Sequence, residues 1–392
     1  MNKKLITVLL SLSLIVPLAV HTASAATPAP TIAILDTALD SSLPAFQGKV
    51  IQEVCILQYG LCPNGQSFME GPGSAAMSAT TITMNGFDHG TQMASVFVRT
   101  NPNANIVFVR IIGDKAGVRQ PAGEATVYNA LNWVRNNASK YNIQAVSMSQ
   151  GHHNIGAAGT DYCPKTPATE QSVKDLINIG IPTFFPSGNG RDYKRIDWPA
   201  CLDVSVSVGY VDQQNEISSS SNNDDVKLDF FATGFFTTAG PGNILKNISG
   251  SSSATQVMAA NWLAYKSAKP SSTYDQILDS FRKTASKTIG RQGSFTKLAD
   301  LGKALSYNSI AVSAPIVPSG PTAAELAAAK AAADKVIADK VAADAVLAAK
   351  AAIQAQVNAA IAAAEAQYQT ELKAAQDKLA ATKAVWLAKL NG

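Results

Sequence analysis

Residues 31–36 read Thr-Ile-Ala-Ile-Leu-Asp, an apolar run that ends in an acid. A short run that is apolar at almost every position is typical of a strand covered on both faces, as in a parallel sheet. Similar runs follow along the chain at 106–112, 145–149, 183–185 and 204–208. Helical patterns begin between and after them, near His89, Ala125, Thr169 and Ser252. This alternation predicts an α/β fold, with a doubly wound parallel sheet and helices on both faces.

Three short motifs follow one another in the order acid, imidazole and hydroxyl. Asp36 ends the first run, His89 lies in Asp-His-Gly-Thr, and Ser252 lies in Gly-Ser-Ser-Ser-Ala-Thr. A serine hydroxyl is a weak nucleophile unless an imidazole accepts its proton and a carboxylate orients that imidazole. Open parallel sheets place their ligand sites at the carboxyl ends of strands, which is where Asp36 falls. Together the motifs indicate an activated serine nucleophile.

The segments 34–37, 89–91 and 250–255 resemble the three active-site blocks of the subtilases, the subtilisin-like serine proteases. Their order along the chain is also that of subtilisin. The resemblance extends from Pro28 to Ser306. It implies a subtilisin-like peptidase that hydrolyses polypeptides through an Asp-His-Ser catalytic triad.

A fourth block, Ser187-Gly188-Asn189, follows an apolar run and resembles the Gly-Asn turn of the subtilases. The resemblance implies that the Asn189 side chain donates a hydrogen bond to the oxyanion. It also implies that Ser187 and Gly188 form part of the specificity pocket.

A fifth block at 146–151 resembles the strand that borders the substrate cleft in the same family. We expect Ser149, Gln150 and Gly151 to pair with an extended peptide substrate through their backbone. Gly151 would let that peptide approach closely, because glycine has no side chain.

Other residues of the same chemical types are alternatives: His152 and His153 for the base, Ser251 and Ser253 for the nucleophile, and Asp40 and Asp88 for the acid. None of them occupies the matching position of a family block. Asp88 is expected instead to cap or hydrogen-bond the loop at the start of the helix.

Some positions depart from the family pattern without removing a catalytic group. Ala38 stands where glycine is common, Ser253 replaces a methionine beside the nucleophile, and Gln256 replaces a proline in the following helix.

The N-terminus has the pattern of a bacterial-type signal peptide over residues 1–25. Two lysines precede an apolar stretch from Leu5 to Val20, and Ala23-Ser24-Ala25 forms a small-residue cleavage site. A membrane anchor is the alternative, but the stretch is short for a spanning helix. The pattern predicts a secreted, extracellular protein.

The chain has four cysteines, at positions 55, 62, 163 and 201. An even count in an exported protein indicates disulfides, and three pairings are possible. Proximity in sequence favours Cys55 with Cys62 and Cys163 with Cys201, and a zinc site is the alternative. No metal or cofactor is indicated by the residues; structural calcium follows only from the family resemblance, since no acidic loop matches a clear calcium pattern.

The formal net charge of +4 is too small to indicate a nucleic-acid partner. Residues 313–321 form a Pro/Ser linker, and residues 322–392 are Ala-rich with interspersed charges. Large apolar residues recur there at spacings of four and seven, which predicts a coiled coil or a helical hairpin. A solitary solvated helix or a partly disordered tail is the alternative. We expect residues 322–390 to mediate self-association or attachment to a cell-surface partner.

These observations predict four segments: a signal peptide at 1–25, a peptidase domain at 26–312, the linker at 313–321 and the helical extension at 322–392. The predicted function is that of a secreted serine endopeptidase. The alternative is a catalytically inactive binding or scaffold protein on the same fold, displayed or assembled through its C-terminal helix.

Overall fold

The computed structural model describes residues 28–83, 86–115, 118–153, 163–291 and 293–307, together with 356, 358–359, 363 and 365–387. The chain divides into two compact units, residues 1–312 and 313–392. The predicted leader and linker lie outside the described residues.

The first unit contains both parallel and antiparallel strands. They are β1 (Thr31–Asp36), β2 (Val50–Ile56), β3 (Phe68–Glu70), β4 (Asn105–Arg110), β5 (Gly113–Lys115), β6 (Val118–Gln120), β7 (Ile143–Met148), β8 (Thr183–Pro186), β9 (Val206–Val211), β10 (Phe230–Thr233), β11 (Phe235–Ala239), β12 (Leu245–Ser249), β13 (Ser286–Gly290) and β14 (Gly293–Leu298). The helices are α1 (Ala79–Ile82), α2 (His89–Thr100), α3 (Glu124–Tyr141), α4 (Pro167–Asn178), α5 (Ser251–Ala268), α6 (Tyr274–Thr284) and α7 (Leu301–Ser306).

Ten of these strands form one sheet in the order β13-β14-β10-β9-β8-β7-β1-β4-β2-β3. All neighbours in it are parallel except the two edge pairs, β13–β14 and β2–β3. From β1 the chain builds one side of the sheet through β2 and β4, and it builds the other side from β7 onwards. The doubly wound parallel sheet that the sequence predicts is therefore confirmed.

Strand β1 shows why the apolar pattern predicts the sheet. Its side chains alternate between two buried clusters: Ala33 and Leu35 face one side, and Ile32 and Ile34 face the other. Helices α3 and α4 cover the first side, while α2, α5 and α6 cover the second. Each of these four β1 residues has no exposed surface, because both faces of the strand carry a helical layer.

The structure contains both disulfides favoured from the sequence, Cys55–Cys62 and Cys163–Cys201. The first closes a short loop beside β2, and the second joins the start of the α4 region to the segment before β9. No pair of cysteines is left for a zinc site, since the described residues include no free cysteine.

In the second unit, residues 365–387 form a helix, α8. The side chains of Tyr368, Leu372, Leu379 and Trp386 are exposed along it. A coiled coil or a hairpin stays a prediction. Within the described parts of the chain, no helix has the length and apolarity needed to cross a membrane.

Candidate active site

The Asp36 carboxylate is fully buried at the carboxyl end of β1. Its Oδ1 accepts hydrogen bonds from the Thr37 backbone N–H at 2.7 Å and from His89 Nδ1 at 2.8 Å. Because a carboxylate only accepts, the imidazole proton is assigned to Nδ1, and Nε2 keeps its lone pair. The His89 side chain is 23 % exposed, and the Asp36 carboxylate holds its Nδ1.

Gln150 also binds this carboxylate, which the sequence did not predict. Its Nε2 donates to Asp36 Oδ1 at 2.7 Å and lies 3.1 Å from His89 Nδ1, because both nitrogens share one acceptor. The Gln150 Oε1 in turn accepts a hydrogen bond from the Arg119 guanidinium. The contacts from Arg119 to Gln150 and from Gln150 to Asp36 therefore help to fix the carboxylate.

Thr37 fixes the segment that carries the imidazole. Its hydroxyl donates to the Phe87 carbonyl at 2.7 Å and accepts from the Gly90 N–H at 2.8 Å. Gly90 can only be glycine here, since a Cβ would lie 2.5 Å from the Ala38 carbonyl oxygen. Helix α2 thus begins at His89 in contact with the end of β1, and the acid and the base come together.

Ser252 lies in the first turn of α5 and lines the same cleft as His89. Its hydroxyl donates to the Ser149 carbonyl at 3.2 Å, and the Ser149 hydroxyl donates to the Ser252 carbonyl at 3.0 Å. Among the described residues, no hydrogen bond joins Ser252 to His89. The Ser252 side chain is therefore held against the residue that follows β7, and its hydroxyl would have to turn for the imidazole to accept its proton.

Asn189 follows β8 and is oriented by the start of α5. Its Oδ1 accepts from the Ser251 backbone N–H at 2.9 Å and from the Ser251 hydroxyl at 3.1 Å. These two contacts assign the amide oxygen of Asn189 to the position facing Ser251. Its Nδ2 is then left as a donor beside the cleft. The Ser252 backbone N–H lies in the first helical turn, where amide groups have no acceptor within the helix. The two donors can serve one oxyanion.

Gln256, one of the three residues that depart from the family pattern, anchors α5 to the sheet. It is fully buried, and its Nε2 donates to the Ser147 and Ser149 hydroxyls, each at 2.9 Å. The helix that carries Ser252 is thus tied to β7 by side chains as well as by packing.

The cleft has a volume of about 280 Å³. It brings together residues predicted from four separate sequence blocks with three that were not predicted, Arg119, Pro186 and Asp197. Its lining includes His89, Ser149, Gln150, Gly151, Gly188, Asn189 and Ser252. Ser187, the remaining predicted pocket residue, is fully buried beside it.

Gly151 is required by a contact within the protein. A Cβ there would lie 2.7 Å from the Trp198 carbonyl oxygen, because His152 and Trp198 pair through their backbones. The expected backbone pairing of 149–151 with a substrate stays a prediction.

The alternative residues have other partners. The His152 ring contacts the Trp198 ring in a tilted arrangement, and burial lowers the pKa of His152. His153 binds Asp197, with Nδ1 2.9 Å from Oδ1. Asp40 binds Ser42 and the Gly242 N–H.

Asp88 precedes α2, but its side chain makes no capping hydrogen bond there. It binds Gln92 Nε2 at 2.8 Å and pairs with Lys246 instead. The expectation that Asp88 caps the helix is therefore wrong, and the side-chain partners it has lie in α2 and β12 rather than in the loop before the helix. The nearby ammonium offers a charged donor, which a carboxylate prefers to a neutral amide.

Structural calcium stays a prediction from the family resemblance. No group of three or more histidine, cysteine or acidic side chains there could hold a metal ion. We therefore assign no described residue to a metal.

The model of the subtilase family matches residues 27–308 of the chain. An alkaline protease of Alkalihalobacillus alcalophilus is 25 % identical over 244 residues, which are 59 % of this chain and 58 % of the relative. A cuticle-degrading serine protease of Orbilia oligospora is 30 % identical over 210 residues, 50 % of this chain and 45 % of the relative. The chain thus spans about half the length of these two curated relatives.

Among solved structures, a protease from Pseudoalteromonas arctica superposes with a TM-score of 0.58 at 17 % identity, covering 71 % of this chain and 90 % of that one. At this identity the likeness shows the fold alone. The predicted subtilisin-like architecture is confirmed by it.

Proposed function

The chain belongs to the subtilase family, and on that premise we propose that it is a secreted serine endopeptidase. Ser252 is the nucleophile, His89 is the general base, and Asp36 orients the imidazole and stabilises its cationic form. The observation that carries the proposal is the hydrogen bond from His89 Nδ1 to the buried Asp36 carboxylate, at the wall of a cleft that Ser252 also lines.

In the first step, the Ser252 hydroxyl turns from the Ser149 carbonyl to His89 Nε2 and gives up its proton. The serine oxygen bonds to the carbonyl carbon of the substrate, and the carbonyl electron pair moves onto oxygen. Asn189 Nδ2 and the Ser252 N–H donate to that oxyanion. The His89 cation then protonates the amine as the C–N bond breaks, and water repeats the sequence on the acyl-enzyme.

Two features support export. Residues 1–25 have the pattern of a cleavable leader. The two disulfides of the peptidase unit are typical of an oxidising compartment.

A fluorophosphonate probe tests the catalytic assignment, because it labels only an activated serine. Wild-type protein should be labelled, and Ser252→Ala should not. Ser253→Ala is the matched control, because Ser253 lies in the same helical turn but is buried and does not line the cleft. The Ser253→Ala protein should still be labelled. Folded wild-type protein that stays unlabelled would overturn the proposal.

One observation favours a second candidate, a catalytically inactive binding or scaffold protein. The Ser252 hydroxyl is bound to a backbone carbonyl rather than to the imidazole. In that function wild-type protein would bind polypeptides but neither react with the probe nor cleave them, so the same labelling experiment decides between the two.

We also propose that the C-terminal extension, residues 322–390, mediates self-association. Exposed apolar side chains on α8, spaced by four and seven residues, support this: Tyr368, Leu372, Leu379 and Trp386. The solution mass of the full chain should exceed that of a truncation before Thr322 by more than the missing segment. If both forms have the mass of a monomer, self-association would be excluded, and attachment to a cell-surface partner would be the remaining role.

A further inference from the structure

The cleft beside the nucleophile has a carboxylate in its wall that the catalytic steps above do not use. Asp197 lines the cleft together with Ser252 and Asn189. Its backbone N–H donates to the Ser187 carbonyl at 2.8 Å, which ties it directly to the end of β8. Among the described residues that line this cleft, it is the only acid.

The side chain of Asp197 lies between the two glycines of the cleft. A Cβ on Gly188 would lie 2.4 Å from Asp197 Oδ2, and a Cβ on Gly151 would lie 3.7 Å from the Asp197 Cβ. Because Gly151 and Gly188 have no side chains, neither residue separates the Asp197 carboxylate from the space beside Ser252.

The two carboxylate oxygens have different surroundings. Oδ1 accepts from Asn222 Nδ2 and contacts His153 Nδ1, each at 2.9 Å. Oδ2 has no hydrogen-bond partner among the described residues. Burial raises the pKa of Asp197 above its ordinary value, although His153 and Asn222 lower it. The neighbours therefore do not fully offset the loss of solvation of the carboxylate. A cation bound at the carboxylate would favour its charged form.

We propose that Asp197 selects substrates with lysine or arginine at P1, the residue on the acyl side of the scissile bond. The inference rests on the proposed function, and it adds the substrate class. The pocket that receives the P1 side chain sets the specificity of a serine protease. An ammonium or guanidinium donating to Oδ2 forms a charge-assisted hydrogen bond, which is about twice as strong as a neutral one.

Arg119, which also lines the cleft, is the competing determinant. Its guanidinium donates to Gln150 Oε1 and would instead favour an acidic P1 side chain. Because Arg119 already has a polar acceptor and Asp197 Oδ2 has no donor, the structure favours the cationic substrate.

The test uses three peptides that differ only at P1, which is lysine, methionine or glutamate. Wild-type kcat/KM should be about tenfold to a hundredfold higher for lysine than for methionine, the range expected of a hydrogen bond to a charged group. In Asp197→Asn the ratio should fall to near one. Asp197→Ser serves the same comparison if the first variant does not fold.

Asp192→Asn is the matched control. Asp192 also faces His153, with Oδ2 3.5 Å from Nε2, but it does not line the cleft, so its variant should keep the wild-type ratio. A wild-type ratio near one, a preference for glutamate, or an unchanged ratio in Asp197→Asn would overturn the inference while leaving the peptidase assignment standing.

Binding separates this inference from the proposed function. With Ser252→Ala, the affinity for the same peptides is measured by fluorescence anisotropy. Ser252→Ala should bind the lysine peptide more tightly than the methionine peptide, and Ser252→Ala/Asp197→Asn should not. This result would support a cation-selecting pocket at Asp197 even if wild-type protein hydrolyses nothing. Equal affinities for the lysine and methionine peptides would count against it.

Discussion

In the half of the cleft built by β1 and α2, the Asp36 carboxylate is held mainly by other side chains, whereas in the half built by β7, β8 and α5 the Ser252 and Asn189 side chains are held mainly by backbone groups. Asp36 Oδ1 collects two side-chain donors, His89 and Gln150. Ser252 and Asn189 instead bind the Ser149 carbonyl and the Ser251 N–H. The acid–base half therefore depends on the chemical identity of a few side chains, and the nucleophile half depends more on where α5 lies.

Asp36→Asn should break the acid–base half most severely. The new amide would donate to His89 Nδ1, so the imidazole would carry its proton on Nε2 and could not accept one from Ser252. We expect kcat to fall about 10⁴-fold, as in other Asp-His-Ser hydrolases with this change. Asp40→Asn is the control, because Asp40 binds Ser42 outside the cleft. A loss below tenfold, measured on protein with an unchanged melting temperature, would contradict the role of Asp36.

Asn189→Ala tests the nucleophile half. It removes one oxyanion donor, and kcat should fall about 10²- to 10³-fold with a smaller change in KM. Ser251→Ala keeps that donor and removes only the hydroxyl contact with Asn189 Oδ1, so its loss should be smaller. Equal losses in the two variants would show that Asn189 acts by supporting the turn.

Thr37→Val addresses the stability of the acid–base half. Valine keeps the shape but leaves the buried Phe87 carbonyl and Gly90 N–H without a partner. We expect the free energy of unfolding to fall by about 2 kcal/mol. Urea unfolding in the Ser252→Ala background, which prevents self-digestion, measures it. Thr80→Val, at an exposed helical position, should change it by less than about 0.5 kcal/mol, and an equal effect of both variants would refute the explanation.

Gln150→Leu should have the smallest of these effects. It removes one neutral donor from Asp36 Oδ1 and leaves the His89 contact, so kcat/KM should fall about tenfold, since one hydrogen bond contributes about 1 kcal/mol or slightly more. Arg119→Met, which is one contact further from Asp36, should lose less. If the Arg119 variant loses more, Arg119 acts on the substrate rather than through Gln150.

Much of the site was predictable because its residues stand at the ends of recognisable elements. Asp36 ends an apolar strand, and Asn189 follows another, so the rule for parallel sheets places both at one edge. The bounds of five buried strands were predicted to within about three residues, but β2 and β10 were missed. In β2, Gln52 and Glu53 interrupt the apolar pattern.

The remaining contacts depend on residues far apart in sequence. Gln150 and Asp36 are 114 residues apart, and Gln256 and Ser147 are 109 apart. A glutamine side chain has no periodic signature, so only the folded geometry reveals its partner. Asp197 has no motif of its own either; it reaches the cleft through its backbone hydrogen bond with Ser187.

The end of β7 and the two residues that follow it, residues 147–150, contact the Ser252 hydroxyl, the helix that carries it, and the Asp36 carboxylate. Ser147 and Ser149 anchor Gln256 of the nucleophile's helix, the Ser149 carbonyl receives the Ser252 hydroxyl, and the next residue along holds the acid. A displacement of this strand would therefore move the Ser252 hydroxyl and the Asp36–His89 pair together. If the site acts as proposed, small movements of the sheet would therefore leave the distances between the reacting groups unchanged.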